Sequence, residues 1–199
     1  MLLELENLCI TANKNPLVKN LSLKFNEAQI TGISAPTGSG KTTLLNCICG
    51  ILNSKDFTVS GKIIKNVSEI SYVFQEPRLI ENESVVKNIM LPLENIYDKN
   101  VCEQKAMYWI EKLNLNHKKN NLCMELSGGE KQRTAIARAF AYPGKLMLLD
   151  EPFASQDEVN KQNIISLIKN LVKEEKRGII IISHIKAELD MLCSNIINL

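Results

Sequence analysis

The sequence predicts an α/β fold in which a parallel sheet is covered by helices on both faces. Short aliphatic segments such as 146–149 and 178–183 alternate with helical segments, and strands that are apolar throughout are typical of a sheet buried on both sides. A glycine-containing loop at 35–43 connects an apolar strand to a helix, which fits the same alternation of strands and helices. At 199 residues the chain has the length of one domain, or of one domain with an inserted subdomain.

Two segments ahead of the loop predict an antiparallel pair of strands. Apolar and polar residues alternate in part over 2–10 and again over 17–25, as expected for strands with one solvated face. Asn13, Asn15 and Pro16 predict the turn between them. We therefore expect a small antiparallel β subdomain beside the parallel core.

The loop APTGSGKTT contains the residue types that bind phosphate. Gly38 and Gly40 let the backbone curl so that successive N–H groups point inward, and the helix that starts at Lys41 adds the positive end of its dipole. Lys41 would reach the β- and γ-phosphates, and the hydroxyl of Thr42 would bind Mg²⁺. This predicts a nucleoside triphosphate site, with a plain strand–helix turn as the alternative. The predicted nucleotide contacts are Ala35, Pro36, Thr37, Gly38, Ser39, Gly40, Lys41, Thr42 and Thr43.

The rest of the chain continues the alternation, with one interruption. The predicted strands lie at 59–64, 69–74, 146–149, 178–183 and 196–199, and the predicted helices at 84–92, 101–115, 130–141, 157–176 and 186–193. Residues 53–60 are polar and predict a loop. Because the helices between about 80 and 125 are not separated by strands, they predict a helical subdomain inserted into the core.

The composition is that of a soluble globular protein. A net charge of +2 gives no reason to expect nucleic acid or an anionic membrane surface as the main partner. Six cysteines and two histidines show no zinc-ligand spacing, so a Cys/His metal site is not expected. The first ten residues lack the layout of a signal peptide, and the aliphatic runs are far shorter than the roughly 20 residues of a membrane span. We therefore expect a cytoplasmic protein.

Further candidate residues end predicted strands or begin a helix, where α/β proteins bind ligands. Asp150 can reach Mg²⁺, and Glu151 can deprotonate an attacking water; a helix cap and a surface salt bridge are the alternatives. Gln75 and His184 follow two other strands, and each alone is more often structural. Ser127 begins a second glycine-containing helix start, which suits an anion or is a plain N-cap.

Together these segments resemble the ATP-binding subunits of ABC transporters over essentially the whole chain. The matching motifs are Walker A at 35–42, the Q-loop at Gln75, the signature LSGGE at 126–130, Walker B at 146–150 with Glu151, the D-loop at 154–157 and the H-loop at His184. The stretch YVFQEPRL at 72–79 is similar to importers of nitrate, sulfonates, taurine and similar small solutes.

The resemblance implies the P-loop NTPase fold of ABC ATPases, with ATP and Mg²⁺ as ligands. Residues 1–78 and 144–199 would form the ATP-binding core with its β subdomain, and about 79–143 the helical subdomain, within one domain over 1–199. The implied roles are Mg²⁺ binding for Thr42, Gln75 and Asp150, catalysis for Glu151, His184 and Gln75, and nucleotide contact or coupling between sites for Ser127, Gly128, Gly129 and Asp157.

The resemblance also implies partners. Two identical or similar subunits would enclose two ATP molecules, so that the signature of one chain closes over the nucleotide on the phosphate loop of the other. An integral-membrane permease would hold this dimer at the cytoplasmic face of the membrane. An importer would add a solute-binding protein, and no nucleic acid is implied.

Some positions depart from the family pattern. Ala35 replaces the first glycine of the phosphate loop, which costs about 1–2 kcal/mol if that residue has a positive φ and little otherwise. Ala12 stands where the family has an aromatic that stacks on adenine, and no earlier aromatic can replace it. We therefore expect weaker or less base-selective binding, with aliphatics such as Val18 covering the base. Ala154 and Gln156 also differ from the usual D-loop.

The function predicted from the sequence is ATP hydrolysis coupled to solute transport. A non-transport ABC ATPase is one alternative, although the chain contains none of the long coiled-coil or zinc insertions of that class. A weakly hydrolysing regulatory subunit is the other. Ala12 and Ala35 leave it open, whereas the catalytic residues present in the sequence argue against it, namely Lys41, Asp150, Glu151 and His184.

Overall fold

The computed structural model describes residues 1–13, 15–34, 36 and 38–199. They divide into two compact units, one formed by Met1–Ile70, Gly144–Asp150 and Lys169–Leu199 and the other by Ser71–Pro143 and Glu151–Ile168. The strands are β1 (Leu3–Ala12), β2 (Asn15–Phe25), β3 (Ile30–Ser34), β4 (Phe57–Lys65), β5 (Ile70–Val73), β6 (Leu146–Asp150), β7 (Gly178–Ile182) and β8 (Asn195–Asn198). The helices are α1 (Lys41–Cys49), α2 (Val85–Met90), α3 (Lys99–Lys112), α4 (Gly128–Ala141), α5 (Glu158–Glu175) and α6 (Lys186–Leu192).

The first unit contains an antiparallel sheet with the strand order β2-β1-β4. The predicted pairing of the first two segments is confirmed, and the central strand β1 contributes fully buried residues such as Leu3 and Ile10. The prediction of a loop over 53–60 is wrong for its second half. Strand β4 begins at Phe57 because its backbone pairs with the end of β1, where Phe57 lies opposite Ala12.

The same unit contains parallel strands in the order β6-β7-β3-β8. Every residue of β6 and β7 is buried, which explains their aliphatic sequences. Ile182 of β7 lies opposite both Ile33 of β3 and Asp150 of β6. The carboxyl ends of these three strands therefore meet at one edge of the sheet.

The second unit contains the helices α2, α3 and α4, which pack against one another. Trp109 of α3 meets Phe140 of α4 edge to face, with ring centroids 5.2 Å apart, so Trp109 is a core residue. The side-chain amide of the buried Asn88 bonds to the carbonyl oxygens of Ile80, Glu83 and Ser84. No helix in the described part of the chain is long and apolar enough to cross a membrane.

Candidate functional site

Helix α1 begins at the phosphate loop with its first turn open. Gly38 and Gly40 have φ values of 83° and 91°, a left-handed conformation that favours glycine. Gly40 is the N-cap of α1; within the described residues no side chain caps this end, and its first turn has no acidic residue. The N–H groups of this turn are therefore placed to bind an anion.

Gly40 is also required by its neighbour in the β subdomain. A Cβ built on Gly40 would lie 2.9 Å from the Cβ of Leu17, closer than side chains approach. Leu17 is therefore the aliphatic residue next to the loop. The expectation that Val18 covers the base is wrong, because Val18 is 3% exposed and lies opposite Ile10 in the sheet.

Lys41 folds back over the phosphate loop. The residue is 8% exposed, and its Nζ donates a hydrogen bond of 2.9 Å to the carbonyl oxygen of Pro36. The ammonium group is thus held beside the open first turn of α1. Ala35 and Thr37, two predicted contacts, lie outside the described residues.

Thr42 and Asp150 bring two oxygen atoms together next to the loop. The Thr42 hydroxyl donates a hydrogen bond of 2.7 Å to Oδ2 of Asp150, which is 1% exposed at the end of β6. Asp150 is not a helix cap, the alternative considered for it, because the next helix, α5, begins only at Glu158. Neighbouring ligands of an octahedral Mg²⁺ lie about 3 Å apart, so this oxygen pair fits that ion. Thr43, the next residue of α1, is half-buried.

His184 lies two residues beyond the end of β7, at the same edge of the sheet as Asp150. Its backbone position is fixed by Ser183, whose buried hydroxyl donates to Oε2 of Glu188 at 2.6 Å and accepts from the N–H of Ile185 at 3.0 Å. The His184 side chain is exposed. The first unit therefore brings Lys41, Thr42, Asp150 and His184 to the carboxyl edge of one sheet.

In the second unit, helix α4 begins with a closed first turn. Ser127 is its N-cap: the hydroxyl accepts from the N–H of Glu130 at 3.3 Å, while Oε2 of Glu130 accepts from the Ser127 N–H at 2.9 Å. This is the N-cap that the sequence offered as the alternative to an anion site. The cap satisfies the N–H group of Glu130, so only part of the first turn is left for other partners. Gly128, exposed, and Gly129, half-buried, follow within the turn.

The neighbours of Glu130 stabilise its negative charge. Burial disfavours the carboxylate, but hydrogen bonds from Ser127 and the nearby Lys118 and His117 outweigh that effect and lower the pKa of Glu130 below its ordinary value. Its Oε1 lies 3.8 Å from Nζ of Lys118 and 3.4 Å from Nε2 of His117. The sequence analysis did not single out this carboxylate.

The loop after β6 is tied to the start of α4. Glu151 and Ser155 have positive φ values of 49° and 61°. The Gln156 side chain donates to the carbonyl oxygen of Gly129 at 3.1 Å and accepts from Nη1 of Arg133 at 3.0 Å. A Cβ on Gly129 would come within 2.7 Å of the Ser155 carbonyl oxygen, so glycine is needed there. Gln156, noted only as a departure from the D-loop pattern, is therefore a structural contact.

Asp157 and Gln75 are also held in the second unit. Asp157 accepts from the backbone and side-chain nitrogens of Asn160, both at 2.8 Å, which caps α5 and lowers the pKa of Asp157.

Gln75 is exposed after β5. Just beyond Gln75, the guanidinium group of Arg138 donates to the carbonyl oxygens of Pro77 and Arg78 at 2.9 and 3.0 Å. Sequence reasoning missed Arg138 because an arginine on a helix gives no sign of its partner.

Within the described ranges no three His, Cys, Asp or Glu residues are grouped as a metal site. Burial raises the pKa of the Cys49 thiol to about 11 and that of Cys193 to about 12, so both remain protonated at neutral pH.

Known proteins share this sequence pattern. The ABC transporter family model matches residues 18–154. The chain is 39% identical over 180 residues to the tungstate uptake system ATP-binding protein of Peptoclostridium acidaminophilum, covering 88% of this chain and 84% of that protein. It is 32% identical to the lipoprotein-releasing system ATP-binding protein of Buchnera aphidicola, covering 88% and 86%. It is 31% identical to the methionine import ATP-binding protein of Clostridioides difficile, but spans only 61% of that protein's length, with 92% of this chain covered.

A solved structure shares the fold. The ATP-binding cassette MJ0796, a dimer in a post-hydrolysis state bound to ADP and Pi, matches with a TM-score of 0.87 at 26% identity. The match covers 99% of this chain and 94% of that chain. The predicted α/β fold is therefore confirmed. The chain belongs to the ABC transporter family as an ATP-binding cassette, and these cassettes are ATPases.

Proposed function

We propose that this chain hydrolyses ATP as the motor subunit of a transporter, in which two such chains, identical or similar, enclose two ATP molecules. The observation that carries the proposal is the 2.7 Å contact between Thr42 and Asp150 beside the loop that holds Lys41. A hydroxyl, a carboxylate and an ammonium group next to an open helix start are what a nucleoside triphosphate with its metal requires.

Within the first unit, each group has a separate role. The open turn of α1 and the ammonium group of Lys41 would bind the phosphates, and His184 would position the γ-phosphate. Thr42 and Asp150 would hold Mg²⁺. Gln75 belongs to the second unit, and only the family pattern implies it as a further ligand. Mg²⁺ bound there would neutralise charge on the phosphates.

Within the second unit, Glu151 would be the general base, because it follows the Mg²⁺-binding carboxylate of Asp150 directly in the chain. Ser127, Gly128 and Gly129 would contact the nucleotide held by the partner chain. Asp157 would couple the two sites. The dimer of the related cassette with ADP and Pi supports this arrangement. We also retain the division into an ATP-binding core at 1–78 and 144–199 and a helical subdomain at about 79–143.

Glu151→Gln tests the enzymatic part of the proposal. The amide cannot take a proton, so we expect the variant to bind ATP, to lose hydrolysis by at least about 100-fold and to accumulate as an ATP-bound dimer. Phosphate release and size-exclusion chromatography with ATP measure both effects. Glu158→Gln, an exposed carboxylate on α5, is the matched control and should hydrolyse ATP normally. Unchanged hydrolysis in Glu151→Gln would overturn the assignment.

The transport part of the proposal is a peripheral subunit at the cytoplasmic face of a membrane, bound to a permease. The stretch at 72–79 supports a small solute of the nitrate, sulfonate or taurine type, taken up with the help of a solute-binding protein. The relatives named for tungstate uptake and methionine import support uptake, whereas the lipoprotein-releasing relative favours release.

Purification of the tagged chain from gently solubilised native membranes tests this part. Recovery of a multispan membrane protein is the expected result, and a co-purifying solute-binding protein would indicate uptake. Recovery of soluble partners alone would contradict the transport role and favour a non-transport or regulatory ABC ATPase.

A further inference from the structure

The unit that holds the phosphate loop has two aromatic residues, Phe25 and Phe57. Phe25 is 2% exposed and belongs to the core. Phe57, the first residue of β4, is only partly buried. Phe57 is therefore the aromatic side chain of this unit that a ligand can reach.

Phe57 lies directly opposite Ala12, where β1 ends. Over the last four residues of β1 the register with β4 is regular, so Ala12 and Phe57 share one face of the sheet with Ile10 and Val59. Ile10 is fully buried on that face. Because Ala12 has only a methyl group, it leaves the ring of Phe57 uncovered on that side.

The same end of the hairpin touches the phosphate loop. Between the pairs Ile10–Val18 and Thr11–Pro16 the register shifts by one residue, which leaves Leu17 as the extra residue of a bulge. Leu17 is the residue that meets Gly40, the N-cap of α1. A nucleotide whose phosphates lie on that loop therefore has this end of the hairpin as the adjoining surface for its sugar and base.

A hydrogen-bonded turn fixes the approach to Phe57. The Asn53 side chain donates to Asp56 at 2.7 Å and accepts from the N–H of Lys55 at 3.1 Å, and the Asn53 carbonyl oxygen accepts from the N–H of Phe57 at 3.2 Å. This turn connects α1, which begins at the phosphate loop, to β4. The backbone at Phe57 is thus hydrogen-bonded to this turn.

We propose that Phe57 is the residue on which the base of the bound nucleotide stacks, and that it thereby supplies from β4 the aromatic ring that β1 lacks at Ala12. The inference rests on the proposed nucleotide site. Every base has a π-face, so stacking on phenylalanine favours binding without selecting strongly among bases. ATP, GTP and CTP should therefore all gain from this ring.

The test compares ATP with inorganic tripolyphosphate, which has the phosphates but neither sugar nor base. Isothermal titration with Mg²⁺ gives both dissociation constants for the full chain. Phe57→Ala should weaken ATP binding by about 5- to 150-fold, the range that one base–aromatic stack gives, and leave tripolyphosphate binding unchanged. Phe57→Leu keeps the apolar bulk without the π-face and should also weaken ATP binding. Phe57→Trp keeps an aromatic ring and should retain ATP binding.

Val59→Ala is the matched control, since Val59 lies two residues along the same strand and is 43% exposed. It should bind both ligands normally, and thermal unfolding verifies that every variant is folded. Unchanged ATP binding in both Phe57→Ala and Phe57→Leu would overturn the inference, as would an equal loss of ATP and tripolyphosphate binding. Wild-type protein that bound neither ligand would overturn the proposed nucleotide site itself, and the inference with it.

Discussion

The two helices that begin at glycine-containing loops, α1 and α4, start in opposite ways. Among the described residues α1 has no capping side chain, and its N-cap is the left-handed Gly40. Helix α4 is closed by a reciprocal capping box between Ser127 and Glu130. A glycine-rich helix start is therefore not by itself an anion site: α1 leaves its first N–H groups for a ligand, whereas α4 satisfies part of its own.

The charges at the two helix starts also favour an anion at α1 over an anion at α4. Helix α1 has the ammonium group of Lys41 folded over its loop. Helix α4 has the carboxylate of Glu130, whose charge is partly offset by Lys118 and His117. A phosphate group therefore finds a more favourable potential at the start of α1 than at the start of α4.

The largest expected effect that tests this comparison is at the open helix start. Gly40→Ala forces a side chain into a left-handed backbone and against Leu17, so the loop must open. These effects together cost about 3 kcal/mol and should weaken ATP binding by about 100-fold, measured by titration. Gly38→Ala is the matched control, because its Cβ would meet no atom within 4 Å in the described structure and only the backbone strain applies. Equal losses in the two variants would contradict the contact with Leu17.

A smaller effect distinguishes the caps themselves. Ser127→Ala removes the hydroxyl that accepts from Glu130 and should lower the free energy of unfolding by about 1 kcal/mol, measured by denaturant titration. Ser39 is the matched serine before α1, and its buried hydroxyl has no hydrogen-bond partner among the described residues. Ser39→Ala should therefore leave stability unchanged or slightly raised. The comparison fails if Ser39→Ala costs as much as Ser127→Ala.

The smallest effect is a pH dependence at α4. The folded state lowers the pKa of Glu130 below its ordinary value near 4.5, so this carboxylate adds stability above that pH, and the contribution is lost as pH falls through the folded pKa. Glu130→Gln can keep the capping geometry but does not titrate. We expect the stability difference between wild type and variant, measured by thermal unfolding, to shrink on acidification below pH 4.5. A difference that stays constant down to pH 3 would show that the charge has no role.

Local sequence patterns predicted the elements whose environment is uniform. Strands β6 and β7 are buried along their whole length, and their aliphatic runs mark them almost to the residue. The phosphate loop was likewise predictable, because a backbone with positive φ favours glycine, and the sequence has glycine at both such positions, Gly38 and Gly40.

Features that depend on distant residues were not predictable in this way. The segment around Phe57 is polar and resembles a loop, yet it is a strand because its backbone pairs with Ala12, 45 positions earlier. The bulge that turns Leu17 toward Gly40 also depends on pairing across the hairpin. The capping box of α4 is a different case, because Ser127 and Glu130 are only three residues apart and their spacing is a local sequence pattern.

The burial of Lys41 has a consequence for when its dehydration takes place. Lys41 is 8% exposed, so its side chain has lost most of its contact with water during folding, before any ligand arrives. A phosphate group that reaches Lys41 therefore gains most of the attraction without stripping the lysine of solvent, and it exchanges partners with the carbonyl of Pro36. A chain that has already dehydrated Lys41 is less stable alone than with nucleotide bound. Its melting temperature should therefore rise as ligand is added.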